Sequence, residues 1–427
     1  MQSIREQQSI RKQQSIRKQQ SIRKLTMARS MMLGVVAVLS MLLPGPDVAQ
    51  AQSQQALRIG GSLALTGPLG QTGLVHKIAA EIAVEQINAR GGLLGRQIEL
   101  TLRDDQSRPD VTRTLYEQLL TVDKMDLVMG PYGTGAILSA MGVAQRYNKV
   151  LLHNTFGLPA QARYEMQFSV GGQAFDIQNV WPATVFDAVA SSATPPKTVA
   201  IVTSKFPSVH FVSAGAREQA KKRGIKEVLY LEWDFGNRDF GPIAARIKEA
   251  KADFVWAGSL GIEPNMLIDA MKKIDYTPPL QFYMFPSPGP LAKLPDAKNA
   301  LALTVFEEHA PFLNNAVAAN FVKTFHERGA KANLADTSVE LMASVQFATW
   351  QVLEAAVNGA KSLDDKTIAA WLKKNKVNTI IGEVRWDGQN NFMQGTDLYR
   401  VKQLQNGKWN VVWPREMAAP GARLLTP

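Results

Sequence analysis

The sequence predicts an α/β protein made of two doubly wound units, and three observations predict it. Strand and helix patterns alternate in the order βαβαβαβ between residues 57 and 152, which implies a parallel sheet with helices on both faces. The alternation restarts near residue 175 and runs to residue 306. The stretch 382–413 switches to alternation with Asp387-Gly388 and Asn406-Gly407 turn signals, the signature of antiparallel hairpins. Two such units in one chain imply two lobes with a cleft between them.

In the first unit, 57–65 is a short apolar strand. A helix follows over 74–90, with Leu74, Ile78, Ile82, Ala83 and Ile87 at helical spacing, stopped by Gly91 and Gly92. A strand at 97–103, a helix opened by proline at 109–122, a buried strand at 126–129, a helix at 134–147 and a strand at 150–152 complete it. The second unit reads as a helix at 175–190, a strand at 197–203, a helix at 209–223 and a strand at 227–231. A helix at 239–250, a strand at 253–257, a helix at 263–274 and strands at 279–284 and 302–306 follow. Helices at 316–328, 336–358 and 364–374 precede the hairpin region.

The chain has 427 residues, no cysteine and a formal net charge of +11. The charge is unevenly placed. Residues 2–25 repeat a six-residue unit of the QSIRKQ type, which fits neither helix nor strand periodicity; it reads as a basic arm, as a disordered leader, or as untranslated repeat DNA ahead of the true start (1–26). A second start follows at Met27: a basic residue, the apolar run MMLGVVAVLSMLL (31–43), a helix breaker and Ala49-Gln50-Ala51. This is the pattern of a Sec signal peptide over 27–51, with cleavage expected after Ala51. The apolar run is too short to span a bilayer comfortably. Residues 1–51 hold eight Lys/Arg and two acids, so six of the eleven net charges leave with them and +5 remains. A nucleic-acid partner loses its support accordingly. The expected location is the periplasm, with no membrane insertion after cleavage. The lack of cysteine removes disulfides, thiolate metal sites and cysteine nucleophiles.

Ligands of open α/β sheets bind beyond the carboxyl ends of the strands. The loops of interest are therefore 66–73, 130–135, 153–157, 204–208, 258–261 and 285–288. TGPLGQTG (66–73) matches neither the phosphate-loop pattern nor G-x-G-x-x-G, and GPYGTG (130–135) also lacks that spacing. Both feed a helix, so free backbone N–H groups can hold a carboxylate, with Thr66, Thr72 and Thr134 as added donors. The plainer reading makes these residues turns and helix caps. No nucleophile–histidine–acid set is evident, and no histidine lies in a metal-ligand pair. His153 directly follows a strand and reads either as a polar ligand contact or as a satisfied structural histidine. His210 is a weaker candidate for the opposite wall. Tyr132, Phe156, Phe206 and Phe285 follow strands, where the wall for an apolar ligand body would stand, whereas Trp256 reads as core.

These residues carry a resemblance. INARGGLLGRQIELTLRDDQSRPD (87–110), GPYGTG, WDFGNRDFGPIAARIKEAKADFVWAG (233–258) and GEVRWDGQNNF (382–392) resemble the branched-chain amino-acid-type periplasmic binding proteins of ABC importers, over about 57–414. The resemblance implies two Rossmann-like lobes joined by three crossover segments. It places an N-lobe at 57–172 plus 303–381 and a C-lobe at 173–302 plus 382–427. It implies a carboxylate held by Tyr132, Gly133, Thr134, Thr155 and Gly157, and an aromatic cover from Phe206. The ligand-binding set is completed by Leu69, His153, Phe156, Phe285 and Ser287. The implied partners are a small-molecule ligand and a membrane permease; the chain is expected to act as a monomer, without cofactor, metal or catalysis.

One departure bears on the ligand. Amino-acid binders of this group place an acid after the strand matching 279–284, to meet the ligand's ammonium. Here that loop is FPSPGP (285–290). Desolvating an ammonium without an acceptor is costly, so a carboxylate or amide without an ammonium is expected. Glu263 is the nearest substitute, and it also suits a helix start. A sensor subunit signalling to a membrane receptor, and a binder of branched-chain amino acids proper, are the alternatives.

Overall fold

The computed structural model describes residues 55–154, 156–286, 291–334, 336–394 and 398–426. The repeat and the expected signal peptide lie outside them. The first unit runs β1 (Leu57–Leu63), α1 (Gly70–Ala89), β2 (Ile98–Asp104), α2 (Pro109–Thr121), β3 (Leu127–Met129), α3 (Thr134–Arg146), β4 (Leu151–His153) and β5 (Gln167–Ser169). These strands form a parallel sheet in the order β2-β1-β3-β4-β5.

The second unit runs α4 (Ile177–Ala190), β6 (Thr198–Ser204), α5 (Pro207–Lys222), β7 (Lys226–Trp233), α6 (Gly241–Ala250), β8 (Phe254–Gly261), α7 (Glu263–Lys272), β9 (Leu280–Pro286) and β10 (Ala300–Thr304). Strands β8 and β9 are buried along their whole length. That is why FVWAGSLG and LQFYMFP read as continuous apolar runs: both faces of the sheet are covered by helices. Trp256 lies in this core, stacked on Phe186.

The chain then returns to the first sheet. Helices α8 (Ala316–Lys331) and α9 (Leu341–Ala360) pack along α1, followed by α10 (Asp365–Leu372). Each opens on a side-chain cap, from Asn315, Glu340 and Asp364 respectively. After β11 (Val377–Thr379) and β12 (Gly382–Val384), the chain crosses again. There β13 (Arg400–Gln405) and β14 (Lys408–Trp413) add two antiparallel strands to the second sheet, in the order β14-β13-β10-β9-β8-β6-β7. Sheet membership thus requires three crossings: after β5, after β10 and after β12.

Among the described residues, one of the two expected C-terminal hairpins forms. Asn406-Gly407 joins β13 to β14, both residues at positive φ. Asp387-Gly388 does not join two strands, because β12 pairs upstream with β11 instead. Asp387 accepts Arg385 and the Gln394 N–H, and Gly388 N–H donates to Phe392 O, so the segment closes on itself.

Candidate functional site

The sheet orders place strand reversals between β1 and β3 in the first sheet and between β6 and β8 in the second, where open α/β sheets bind ligands. β3 ends at Met129, and Gly130 follows because the chain runs against β4: a Cβ there would stand 2.6 Å from His153 Cβ. Gly133 takes φ +94°, which favours glycine, and turns the chain into α3 at Thr134. After β4, the Gly157 N–H donates to Thr134 Oγ1 at 3.2 Å, tying the two loops together.

Across from them, Phe206 and Pro207 open α5 after β6, and Phe285 sits near the end of β9. The loops enclose a cavity of about 10 Å³, room for roughly one water. Tyr132, Gly133, Thr134, Phe156 and Gly157 line one side; Trp181, Phe206, Ser208 and Phe285 line the other. Trp181 stands edge-on to Phe285 at 5.6 Å between ring centroids.

Two helices start at this cavity. The first intrahelical bonds run from Ile137 N–H to Gly133 O and from His210 N–H to Phe206 O. The N–H groups of Thr134, Gly135 and Ala136, and of Ser208 and Val209, therefore have no intrahelical acceptor. Their positive ends face a cavity whose lining, among the described residues, contains no charged side chain. The arrangement offers donors to an anionic group beside apolar walls, and a ligand larger than one water needs the lobes to part.

Seven of the expected ligand residues thus come together: Tyr132, Gly133, Thr134, Phe156, Gly157, Phe206 and Phe285. Thr155 and Ser287 lie outside the described residues. Leu69 stands beside this group, its Cδ1 3.7 Å from where a Cβ on Gly133 would be. His153 does not line the cavity. It is fully buried, its Nε2 lies 2.6 Å from Gln167 Oε1, and Phe156 packs edge-on against it. Burial depresses its pKa to about 4, so it is a neutral structural ring. His210 is also absent from the cavity and pairs with Glu232 at 2.6 Å. Trp181 is not among the expected ligand residues, and Ser208 is expected only as the last residue of the loop 204–208.

The loop 66–73 resolves toward the plainer reading. Thr66 Oγ1 donates to Asp104 Oδ2 at 2.6 Å, and the Leu65 and Thr66 N–H groups donate to Asp104 Oδ1. Thr72 is buried, with its carbonyl 2.8 Å from His76 Nδ1. A larger cavity of about 800 Å³ opens on the other side of this loop. Residues from 65–77 line it in the first lobe, and residues from 235–238 and 260–266 in the second. Glu263 lies there, not in the small cavity, and it does begin α7. Its carboxylate is engaged within its own lobe by Trp233 Nε1 at 2.9 Å, Ser204 Oγ at 3.2 Å and Leu260 N–H at 3.3 Å. Among the described residues no group of three His, Asp or Glu is placed to hold a metal ion.

The profile of the periplasmic binding protein family matches residues 56–408. This chain belongs to that family. As a periplasmic binding protein it is 24% identical over 372 residues to a Leu/Ile/Val-binding protein homolog 1 of Brucella melitensis, covering 83% of this chain and 92% of the relative. The fold matches the isoleucine complex of a branched-chain amino acid transporter substrate-binding protein from Streptococcus pneumoniae. That match has a TM-score of 0.69 and 19% identity, covering 87% of this chain and 100% of the other. It equally matches the benzoate complex of an ABC-transporter solute-binding protein from R. palustris, with a TM-score of 0.69 and 19% identity, over 83% and 94% of the two chains. Among the described residues of this periplasmic binding protein, no helix is long and apolar enough to cross a membrane.

Proposed function

We propose that this periplasmic binding protein captures a small carboxylate with an apolar, aromatic or aliphatic body and delivers it to an ABC importer. The observation that carries the reading is the chemistry of the residues that line the small cavity, which must widen to admit a ligand. Two helix starts and the Thr134 hydroxyl supply donors, aromatic rings supply walls, and among the described residues no acidic side chain stands there to receive an ammonium. Closure of the two lobes over the ligand supplies affinity by burying it from both sides. Export by the segment 27–51 places the protein where a membrane permease can receive the ligand.

The names of relatives such as the Brucella protein favour a branched-chain amino acid instead. The benzoate-bound neighbour shows that this fold also accommodates an acid without an ammonium. A thermal-shift screen of the chain from Gln52 onward separates the two. Benzoate-class or aliphatic acids are expected to raise Tm, and leucine and isoleucine to leave it unchanged. Stabilisation by leucine or isoleucine with no response to the acids would overturn the proposal.

A further inference from the structure

The small cavity is closed off from the large one by a narrow apolar partition. Leu69 supplies its first part. Its Cδ1 lies 3.7 Å from a Cβ placed on Gly133, in the small cavity, and its Cδ2 lies 3.9 Å from one placed on Gly261, where β8 gives way to the large one. Phe206 and Phe235 supply the second part. Their rings meet edge-on at 4.8 Å, Phe206 lining the small cavity and Phe235 the large one. Both parts are side chains: Leu69 and Phe206 immediately precede α1 and α5, and Phe235 lies on the turn after β7, so the two spaces are separated by side chains at these places.

The large cavity has a polarity of its own. Leu65, Leu74, Leu260, Ile262 and Met266 give it an apolar body. Its charged groups are Lys77, Arg238 and Glu263. Glu263 is buried and already accepts three hydrogen bonds within its lobe. Lys77 pairs with Glu81 at 2.8 Å, one turn along α1. Arg238 is exposed on the turn between β7 and α6, and no ion pair engages it among the described residues. Of the three, it is the group with charge to spare, and a guanidinium favours planar oxyanions held by two bonds.

From this layout we infer that the ligand is an elongated diacid. One carboxylate sits at the α3 and α5 starts, an apolar middle passes Leu69, and a second carboxylate meets Arg238 in the large cavity. The inference rests on the carboxylate reading above and adds the second anionic group. Monoacids occupy the same throat but leave Arg238 facing water.

Calorimetric titration with α,ω-dicarboxylates from succinate to sebacate, each matched to the monocarboxylate of equal carbon count, tests it. One diacid length is expected to bind about tenfold tighter than its monoacid. Arg238→Gln is expected to erase that margin and leave monoacid binding unchanged, with an unchanged thermal melt as the check that the exposed substitution leaves the fold intact. Thr134→Ala is expected to weaken both classes. Equal binding of diacids and monoacids, or a diacid margin that survives Arg238→Gln, overturns the inference and leaves the carboxylate reading standing. Failure of every acid to bind overturns both.

Discussion

Gly157 and Ser208 are in direct contact across the cleft: a Cβ on Gly157 would stand 1.9 Å from Ser208 Cβ. Gly157 follows β4 in one lobe and Ser208 lies in the first turn of α5 in the other. A methyl group therefore cannot be added without pushing the lobes apart. Gly157→Ala is expected to lower ligand affinity at least tenfold, roughly 1.4 kcal/mol. The unliganded Tm should shift little, because each lobe keeps its core. Calorimetric titration beside a thermal melt checks both halves; unchanged affinity would show that the lobes need not meet here.

Thr134 begins α3, is almost wholly buried and accepts the Gly157 N–H through its hydroxyl. Its substitution removes both the proposed donor for the ligand and the tie between two loops. Thr134→Ala should weaken carboxylate binding by roughly 1–2 kcal/mol, and Thr134→Ser should restore most of it. A series of Kd values in which alanine and serine behave alike would remove the hydroxyl from the site.

The buried pair Lys402–Glu307, at 2.6 Å, joins β13 to the segment just beyond β10, where the chain leaves the second sheet. Burial pushes the Glu307 carboxyl upward, and Lys402 opposes that shift. Removing the lysine leaves an acid without its compensating charge. Lys402→Met is expected to cost about 3–5 kcal/mol in urea unfolding, and adding Glu307→Gln to recover most of the loss. A double variant as unstable as the single one would mean that packing around Lys402, including its place over the Trp409 ring, outweighs the charge pair.

Glu340 caps α9 and is buried nearby; burial chiefly raises its pKa, Lys402 lowers it and Glu307 raises it further, to about 7 from an ordinary 4.5. The folded protein thus keeps a proton that the unfolded chain releases. The stability this group provides is full below about pH 4.5 and is lost as pH rises through about 7. Glu340→Gln keeps the capping acceptor but cannot ionise. Relative to wild type, it should gain on the order of 2 kcal/mol between pH 5 and pH 8 in urea titrations. A pH-independent difference would place the ionised form comfortably inside the fold.

The sequence disclosed the strands and helices with long, strongly periodic patterns, and it disclosed which loops converge. It missed β5, because Gln167–Ser169 is too short to show alternation and gains its place only by pairing with β4. It missed Trp181 for a different reason. The residue falls on the apolar line of α4 and reads as core, and only the approach of Phe285 from β9 makes it a cavity wall. Thr66 looked like a ligand donor because a threonine beside glycines is a common anion-loop feature. Its true partner, Asp104, arrives from β2, and that pairing depends on the β1–β2 register. His153 sat at the right strand end, but its ring is held by Gln167 of the neighbouring strand β5, so it turns toward the lobe interior.

Strand β13 pairs with β10 through Leu301↔Gln403, a contact spanning about a hundred residues of chain that visit the other lobe in between. The second sheet is thus threaded late. During synthesis or translocation from the N-terminus, β6 to β10 emerge with an unpaired edge that waits for residues 400–405. Neither lobe can be excised as one continuous piece of gene, and a truncation before β13 would leave that edge open to other chains.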